Sequence, residues 1–441
     1  MESILSMIQP HALVVSATIL IVAYIFIATE KLPKMTVALV GASLTLLLGL
    51  LGQSAKLDGE LNPHYFINYV DFNVIFLLVS MMIIVSIATR SGIFTWVANE
   101  MLKKTKGRPV AILISLALFT AVASAFLDNV TTVILIMPVT FAIAKELDIN
   151  PIPFLITEIL ASNIGGTATL IGDPPNIIIG SEGNLSFMAF IQELTVIVAI
   201  ILVTVIAIMT FWFKKYLHAT EENMAKAVDM DNSKTITDKA LMWRSLFVLF
   251  LVILGFVTHD VTHIQTCVCA MAGASILLLF EKPHEILHDV EWNTIFFFIG
   301  LFVIIGGFEA AGGIELMAKW LLDITHGSQS IASMVILWGS GILSGIIDNI
   351  PYTATMAPMI AEISLEKGAD FAYPLWWCLS LGACLGGNLT IIGAAANVIV
   401  SETSAATGHP IKFMEYLKYG VVITLTSLAL STGYIWIRFL H

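Results

Sequence analysis

Two Asp-Asn dipeptides stand inside sequences that are otherwise almost wholly apolar. Asp128-Asn129 lies in SAFLDNVTTVILIMP, and Asp348-Asn349 lies in SGIIDNIPYTATMAPMI. Carboxylate and amide oxygens are hard ligands that suit small hard cations, and a carboxylate can bind a proton instead. A carboxylate within a bilayer costs about 2.5–3.5 kcal/mol on insertion scales, so it indicates a functional role by default. These four residues are therefore candidate ligands for a sodium ion.

The chain that carries these dipeptides is hydrophobic enough to lie in a lipid bilayer. It has 441 residues, of which 58% are hydrophobic and 12% are charged, and its mean hydropathy is +0.91. A soluble domain is usually about 25% charged. We therefore predict an all-α polytopic membrane protein that is not an enzyme and has no cofactor and no nucleic-acid partner. Apolar runs long enough to cross a bilayer occupy 11–29, 36–52, 72–89, 187–213, 242–258, 264–280, 292–311 and 413–437.

An internal repeat organises these runs. The two Asp-Asn dipeptides are 220 residues apart, and DFNVIF corresponds to EWNTIF at the same offset. GGTATLIGDPPN at 165–176 corresponds to GGNLTIIGAAAN at 386–397. These landmarks predict two copies of one unit, 1–213 and 241–441. The charged segment 214–240 joins them, and we expect it to be a solvated linker.

Each copy is predicted to contain a re-entrant hairpin and a broken helix besides its full spans. The hairpins cover 109–145 and 329–364 and turn at the Asp-Asn dipeptides, because a full crossing would bury this polar turn without purpose. The broken helices cover 152–182 and 372–401 and are interrupted at Gly-Gly. Each copy then crosses the bilayer five times, so the second copy is inverted. Inverted repeats with a binding site at broken helices are a hallmark of secondary transporters.

The distribution of basic residues predicts the orientation. With the N-terminus outside and the linker 214–240 in the cytoplasm, most of the 21 Lys and Arg residues lie on the cytoplasmic side. One hairpin therefore opens from the cytoplasm and the other from outside. The compact length and short loops favour a bacterial inner membrane.

Four elements are expected to converge near the middle of the bilayer: the two hairpin tips and the two helix breaks. Broken helices free backbone amides and carbonyls that can bind ions. The polar side chains of these elements are carboxylates, amides and hydroxyls, and no Lys, Arg or His is predicted among them. The candidate substrate- or ion-binding residues are Asp128, Asn129, Thr131, Thr132, Asn163, Thr167, Thr169, Asp173, Asn176, Asp348, Asn349, Thr353, Thr355, Asn388, Thr390 and Asn397.

The aspartates among these residues also have a structural interpretation. Asp128 and Asp348 precede the second arms of the hairpins and could cap those helices, alone or while binding an ion. Asp173 precedes Pro-Pro and could be a cap as well, since the second copy has GAAAN in place of GDPPN. The sequence leaves open whether Asp173 binds an ion or only caps a helix.

The hairpin and break sequences resemble those of a known transporter group. SAFLDNVTTVILIMPV, SNIGGTATLIGDPPNIIIGS and SGIIDNIPYTATMAPMI are similar to the arsenite permease and sodium–proton antiporter (ArsB/NhaD-type) group of the ion transporter superfamily, and GGTATLIGDPPN is similar to its P-protein branch. The resemblance implies the fold of the divalent anion–sodium symporters, a homodimer, and a transport domain that moves as an elevator against a scaffold. In those symporters the tips carry Ser-Asn-Thr. Asp at both Ser positions here would repel a carboxylate substrate, whereas arsenite is largely neutral at neutral pH.

Two functions are consistent with these features. The first is secondary active exchange of sodium, or lithium, for protons, with Asp128 and Asp348 binding either ion. The alternative is proton- or sodium-coupled transport of arsenite or of a small organic or inorganic anion. A channel is disfavoured, because two mirrored half-sites suit alternating access better than an open pore.

Overall fold

The structure of the chain, a computed structural model, describes residues 9–51, 56–57, 60–61, 66–228 and 235–440. These residues are mostly helical, which confirms the predicted all-α membrane fold. Eight of the described helices are long and apolar enough to cross a membrane. Backbone polar groups in hydrocarbon have no water to bind, so apolar sequences of this length satisfy them within helices.

The first copy begins with two apolar helices and a short antiparallel ladder. This ladder pairs β1 (Lys56–Leu57) with β2 (Glu60–Leu61). The helices of this copy are α1 (Ala12–Thr29), α2 (Lys34–Leu47), α3 (Phe72–Arg90), α4 (Ile93–Lys104), α5 (Pro109–Ser124), α6 (Asn129–Leu147), α7 (Ile152–Gly166), α8 (Pro174–Glu182) and α9 (Phe187–Phe213).

The second copy repeats this order after the linker helix α10 (Glu221–Val228). Its helices are α11 (Lys239–Val257), α12 (His259–Thr262), α13 (Thr266–Leu278), α14 (Pro283–Leu287), α15 (Trp292–Ala310), α16 (Gly313–Ile324), α17 (Gln329–Ile347), α18 (Asn349–Lys367), α19 (Ala369–Gly386), α20 (Ala395–Ala406) and α21 (Phe413–Phe439). Single 3-10 turns occupy Gln9–His11, Ile67–Tyr69, Lys214–Tyr216 and Ile391–Gly393.

The helix pairs α5–α6 and α17–α18 occupy the predicted hairpins, and α7–α8 and α19–α20 occupy the predicted broken helices. The second hairpin runs to Lys367 and the second broken helix to Ala406, a few residues beyond the predicted bounds. The arms α6 and α17 are each 19 residues long and apolar enough to span a membrane. The re-entrant path of the hairpins therefore stays a prediction based on their polar turns.

The two copies contact each other through equivalent pairs of helices. Helix α15 of the second copy packs on α2 of the first, and the equivalent α3 of the first copy packs on α13 of the second. In the same way α8 packs against α18, and α20 packs against α6. Each hairpin therefore lies against the helix that follows the break of the other copy, which brings tips and breaks together.

The broken helices of the two copies run in opposite directions. Along α8 and α19, Asn176 accepts a hydrogen bond from Ser380 Oγ at 2.6 Å, and a Cβ atom on Gly183 would lie 3.1 Å from the ring of Trp376. As α8 advances along the chain, its neighbour in α19 therefore moves back. The amino end of α8 therefore lies beside the carboxyl end of α19. Because α7 ends at the break where α8 begins, the carboxyl ends of α7 and α19 point toward each other, as inverted copies require.

Close contact between α5 and α7 yields a stability prediction. A Cβ atom on Gly165 would lie 2.1 Å from the carbonyl oxygen and 2.5 Å from the Cα atom of Ala121, so it would collide with backbone. We expect Gly165→Ala to destabilise the protein by about 1–3 kcal/mol, as overpacking does elsewhere, and to lower its melting temperature in detergent. Gly339→Ala is the matched control, because no described atom lies within 4 Å of a Cβ atom there. Equal melting temperatures for the two variants would contradict this packing.

The linker is not wholly solvated, contrary to expectation. The side-chain amide of Asn223 in α10 donates to the carbonyl of Leu147 at 3.3 Å, and the backbone amide of Thr237 donates to the carbonyl of Ser91 at 3.0 Å. A Cβ atom on Gly107 would lie 2.5 Å from the carbonyl of Met224. These contacts hold the described part of the linker against the ends of α4, α5 and α6. Charge alone did not reveal these backbone contacts.

Candidate functional site

Each tip aspartate occupies the cap position of the second arm of its hairpin. Asp128 Oδ1 accepts from the backbone amide of Thr131 at 2.8 Å, and its Oδ2 accepts from the Thr131 hydroxyl. Asp348 Oδ1 accepts from the backbone amide of Ile350 at 3.0 Å. The capping interpretation is therefore correct for both residues. At Asp348, however, one carboxylate oxygen is left over from the cap.

That second oxygen of Asp348 faces an ammonium group. Lys34 Nζ donates to Asp348 Oδ2 at 2.5 Å. The side chain of Asp348 is 3% exposed, and that of Lys34 is 24% exposed. Lys34 belongs to neither a tip nor a break, so the predicted set of site residues did not include it. Helix α2 starts two residues before its apolar run, and the long side chain of Lys34 reaches back to the tip.

The backbone of Asp348 is also unusual. Its φ is +100°, a value that L-residues other than Gly seldom adopt. Asp128 at the other tip has an ordinary φ of −69°. The two tips are thus equivalent in sequence but differ in backbone geometry and in charged partner.

Asparagine side chains hold the open backbone of both helix breaks in the same way. Asn176 Nδ2 donates to the carbonyls of Thr167 and Thr169 at 3.1 and 2.9 Å. Asn397 Nδ2 donates to the carbonyls of Gly387 and Thr390 at 2.7 and 3.0 Å. These amides satisfy carbonyls that the interrupted helices would leave unpaired, so part of their predicted binding capacity serves the backbone.

The predicted threonines divide into two groups. The hydroxyls of Thr167, Thr169 and Thr390 donate to the carbonyls of Asn163, Ala125 and Gly345, respectively. The hydroxyl of Thr355 is bound to Tyr24 and to the Pro351 carbonyl. By contrast, the buried hydroxyls of Thr132 and Thr353 have no hydrogen-bond partner among the described residues. Of the predicted hydroxyl ligands, these two are uncommitted, meaning that neither is already used in a hydrogen bond to another described residue.

Asn163 joins the two copies at the centre of the site. Its Nδ2 donates to Asn388 Oδ1 at 2.9 Å and to Asn397 Oδ1 at 3.0 Å, both in the second copy. Its Oδ1 accepts from Asn129 Nδ2 of the first tip at 3.2 Å. All four side chains are buried. The structure therefore brings together a tip and both breaks, as the sequence predicts.

Asp173 links the first break to the second tip and does not cap its helix. Its side chain makes no capping hydrogen bond to α8. Instead its two oxygens accept from Asn349 Nδ2 at 3.3 and 3.4 Å, and it also contacts the side chains of Asn129 and Cys384. Asp173 is 1% exposed. The capping interpretation is therefore wrong for this residue, and its carboxylate lies between the two tip asparagines.

A cavity of 430 Å³ opens beside the tips. Its charged lining residues are Lys34, Asp128, Glu291 and Asp348, so three carboxylates face one ammonium. Glu291 precedes α15 and accepts from the Thr294 hydroxyl at 3.0 Å. In the sequence Glu291 marks the repeat, and its position immediately before an apolar span is the signal that could have identified it as a site residue.

The three carboxylates line one cavity but do not form a three-residue metal centre. In the described ranges, no group of three or more His, Cys, Asp or Glu side chains could hold a metal ion. Amide oxygens, hydroxyls and backbone carbonyls dominate the site instead, and these are ligands for small hard cations.

Inverted helix pairs, broken helices that meet at their interrupted ends and a buried polar site define the class of secondary transporters. Comparison with known proteins places the chain within this class. The chain belongs to the CitMHS (citrate transporter) family, whose model matches residues 24–382.

Individual relatives agree with this assignment. An uncharacterized transporter of Mycobacterium bovis is 40% identical over 429 residues, which cover 97% of this chain and 98% of the relative. Human P protein is 29% identical over 501 residues, which cover 96% of this chain and 59% of that protein. The predicted similarity to the P protein is therefore confirmed, whereas the narrower assignment to the ArsB/NhaD-type group stays a prediction.

A solved structure supports the fold alone. The YdaH transporter of Alcanivorax borkumensis matches with a TM-score of 0.56 and 14% sequence identity. The match covers 92% of this chain and 99% of that protein.

Proposed function

We propose that this transporter exchanges sodium, or lithium, for protons. The observation that carries the proposal is the charge of the cavity beside the tips, where three carboxylates face one ammonium that is already paired. Such a cavity attracts cations and disfavours anions. A citrate ion with several carboxylates would meet Asp128, Asp348 and Glu291 at close range.

The proposed exchange rests on competition for the same oxygens. A carboxylate that binds sodium has no place for a proton on the same oxygen, and a protonated carboxylate is a poor sodium ligand. Asp128 and Asp348 are the proposed exchanging groups. Asn129, Asn349 and the uncommitted hydroxyls of Thr132 and Thr353 would complete the oxygen shell.

The proposed motion is an elevator, in which the hairpins and broken helices move against a scaffold. Contacts between different helices support this division, because Tyr24 in α1 and Lys34 in α2 reach the second hairpin through side chains. Such contacts can be exchanged without unfolding a helix. A homodimer in a bacterial inner membrane, with the N-terminus outside and the linker in the cytoplasm, completes the proposal.

One observation favours a second candidate, the coupled transport of an anion. Lys34 lies in the same cavity, and the matching family is described as one of citrate transporters. An anion would have to replace Asp348 as the partner of Lys34. Arsenite needs no such replacement, because it is largely neutral.

A flux screen separates these candidates. The purified protein is reconstituted in vesicles with a trapped pH dye, and sodium, lithium, potassium, citrate, succinate and arsenite are added in turn. We expect proton flux with sodium or lithium and with none of the others, and protein-free vesicles are the control. Flux that depends on citrate, succinate or arsenite and is indifferent to sodium would refute the antiport proposal.

A further inference from the structure

We propose that Lys34 is an internal cation that competes with the transported cation for Asp348. This inference rests on the proposed sodium–proton exchange and adds a residue that sets the affinity for sodium. In the present structure Lys34 occupies Asp348 Oδ2, so an arriving sodium ion has to displace its ammonium group.

The first support is the geometry of the pair. The distance of 2.5 Å between Lys34 Nζ and Asp348 Oδ2 leaves no room for an ion between them. A charge-assisted contact to a carboxylate that is 3% exposed is a strong interaction. Sodium therefore cannot bind this oxygen while Lys34 remains there.

The second support is an alternative partner for the displaced ammonium. Glu30 Oε1 lies 3.6 Å from Lys34 Nζ, and the side chain of Glu30 is 31% exposed. Lys34 can therefore leave Asp348 without losing all carboxylate contact, which lowers the cost of displacement. The flexible side chain of Lys34 can reorient while the backbone of α2 stays in place.

The third support is the position of Lys34 in its helix. It is the first residue of α2, where the positive end of the helix dipole disfavours a cation. The residue therefore does not stabilise its own helix. Its favourable interactions are with Glu30 of the preceding loop and with the second tip, which the proposed elevator moves against α2.

The fourth support is the difference between the copies. The equivalent helix α13 begins at Thr266 and is preceded by Gln265, so no ammonium occupies that position. Asp128 accepts hydrogen bonds from Thr131 of its own hairpin. Competition by an internal cation is thus confined to the second tip in the part of the chain that the structure describes.

Equilibrium binding of radioactive sodium to the purified protein tests this inference without requiring transport. Lys34→Gln removes the competitor, so we expect about tenfold tighter sodium binding, within the range of about 5–150-fold seen for coupled sites. Glu30→Gln removes the alternative partner and holds Lys34 on Asp348, so we expect weaker binding. Lys31→Gln is the matched control, an exposed Lys in the loop just before α2, and should bind like the unmodified protein.

The test is specific because sodium affinity should rise in Lys34→Gln and fall in Glu30→Gln. A merely structural role of Lys34 and Glu30 would weaken sodium binding in both variants. Sodium binding by the unmodified protein with no change in Lys34→Gln, or with weaker binding there, would refute the inference but not the proposed function. If Lys34→Gln does not fold, the Glu30→Gln result alone decides, and unchanged affinity refutes the inference. An unmodified protein that binds no sodium would refute both.

Discussion

Replacing Asp348 by Asn is expected to reduce sodium-dependent proton flux to the level of protein-free vesicles. Asn caps a helix about as well as Asp, and its side chain has nearly the same size and shape, so the substitution leaves the backbone at this position under the same constraint as before. The variant therefore keeps the cap on Ile350 and loses the charge that binds Lys34 and, in our proposal, the transported ion. A carboxylate that only capped the helix could be replaced by Asn without loss of flux, whereas a carboxylate whose charge takes part in transport could not.

The measurement compares Asp348→Asn with Asp238→Asn in the same vesicles. Asp238 caps α11 through the backbone amides of Ala240 and Leu241 at 2.7 and 3.0 Å. These contacts, chiefly the one from Leu241, hold the pKa of Asp238 below its usual value. Asp238 lies outside the site, so its substitution should leave the flux unchanged. Full flux in a folded Asp348→Asn protein would remove this residue from the mechanism.

Replacing Asp173 by Asn is expected to weaken sodium binding by about tenfold or more. The estimate follows from the loss of hydrogen bonds to a charged group, which are worth about 1.5–3 kcal/mol each. Asp173 accepts from Asn349 of the second tip and contacts Asn129 of the first. Its charge therefore orients the amides of both tips, and an Asn in its place cannot accept from both in the same way.

Asp148→Asn is the control for this substitution. Asp148 is exposed at the end of α6 and has a φ of +54°, which Asn also tolerates. Both variants are assayed by equilibrium sodium binding and by flux. If Asp173→Asn binds sodium as tightly as the unmodified protein and transports it as fast, the role of Asp173 is structural.

Local features of the sequence were sufficient to predict the helices and their interruptions. Apolar runs such as 187–213 became helices with nearly the predicted bounds, here Phe187–Phe213, because a chain in hydrocarbon has to satisfy its backbone internally. The Asp-Asn dipeptides and the Gly-Gly pairs marked the interruptions. Polar side chains and unpaired backbone groups are costly inside a membrane, so they indicate places where a helix ends. The offset of the repeat then indicated which interruptions correspond.

Partners of individual side chains could not be predicted in this way. Lys34 stands next to an apolar run, where a Lys ordinarily anchors a span at the membrane surface. Its contact with Asp348 joins residues 314 positions apart in sequence. The interpretation of Asp173 as a cap failed for a similar reason, because Asn349 of the other copy offered its carboxylate a partner across the site.

The sequence by itself determined a polytopic membrane protein of two related halves, with polar interruptions at equivalent places, because hydropathy, helix breaking and repetition are properties of neighbouring residues. The tertiary structure alone decided that Asn163 joins both breaks, that Asp173 contacts the second tip and that Lys34 neutralises Asp348. These contacts depend on how the two copies pack across each other, and long side chains can reach partners that no local pattern specifies.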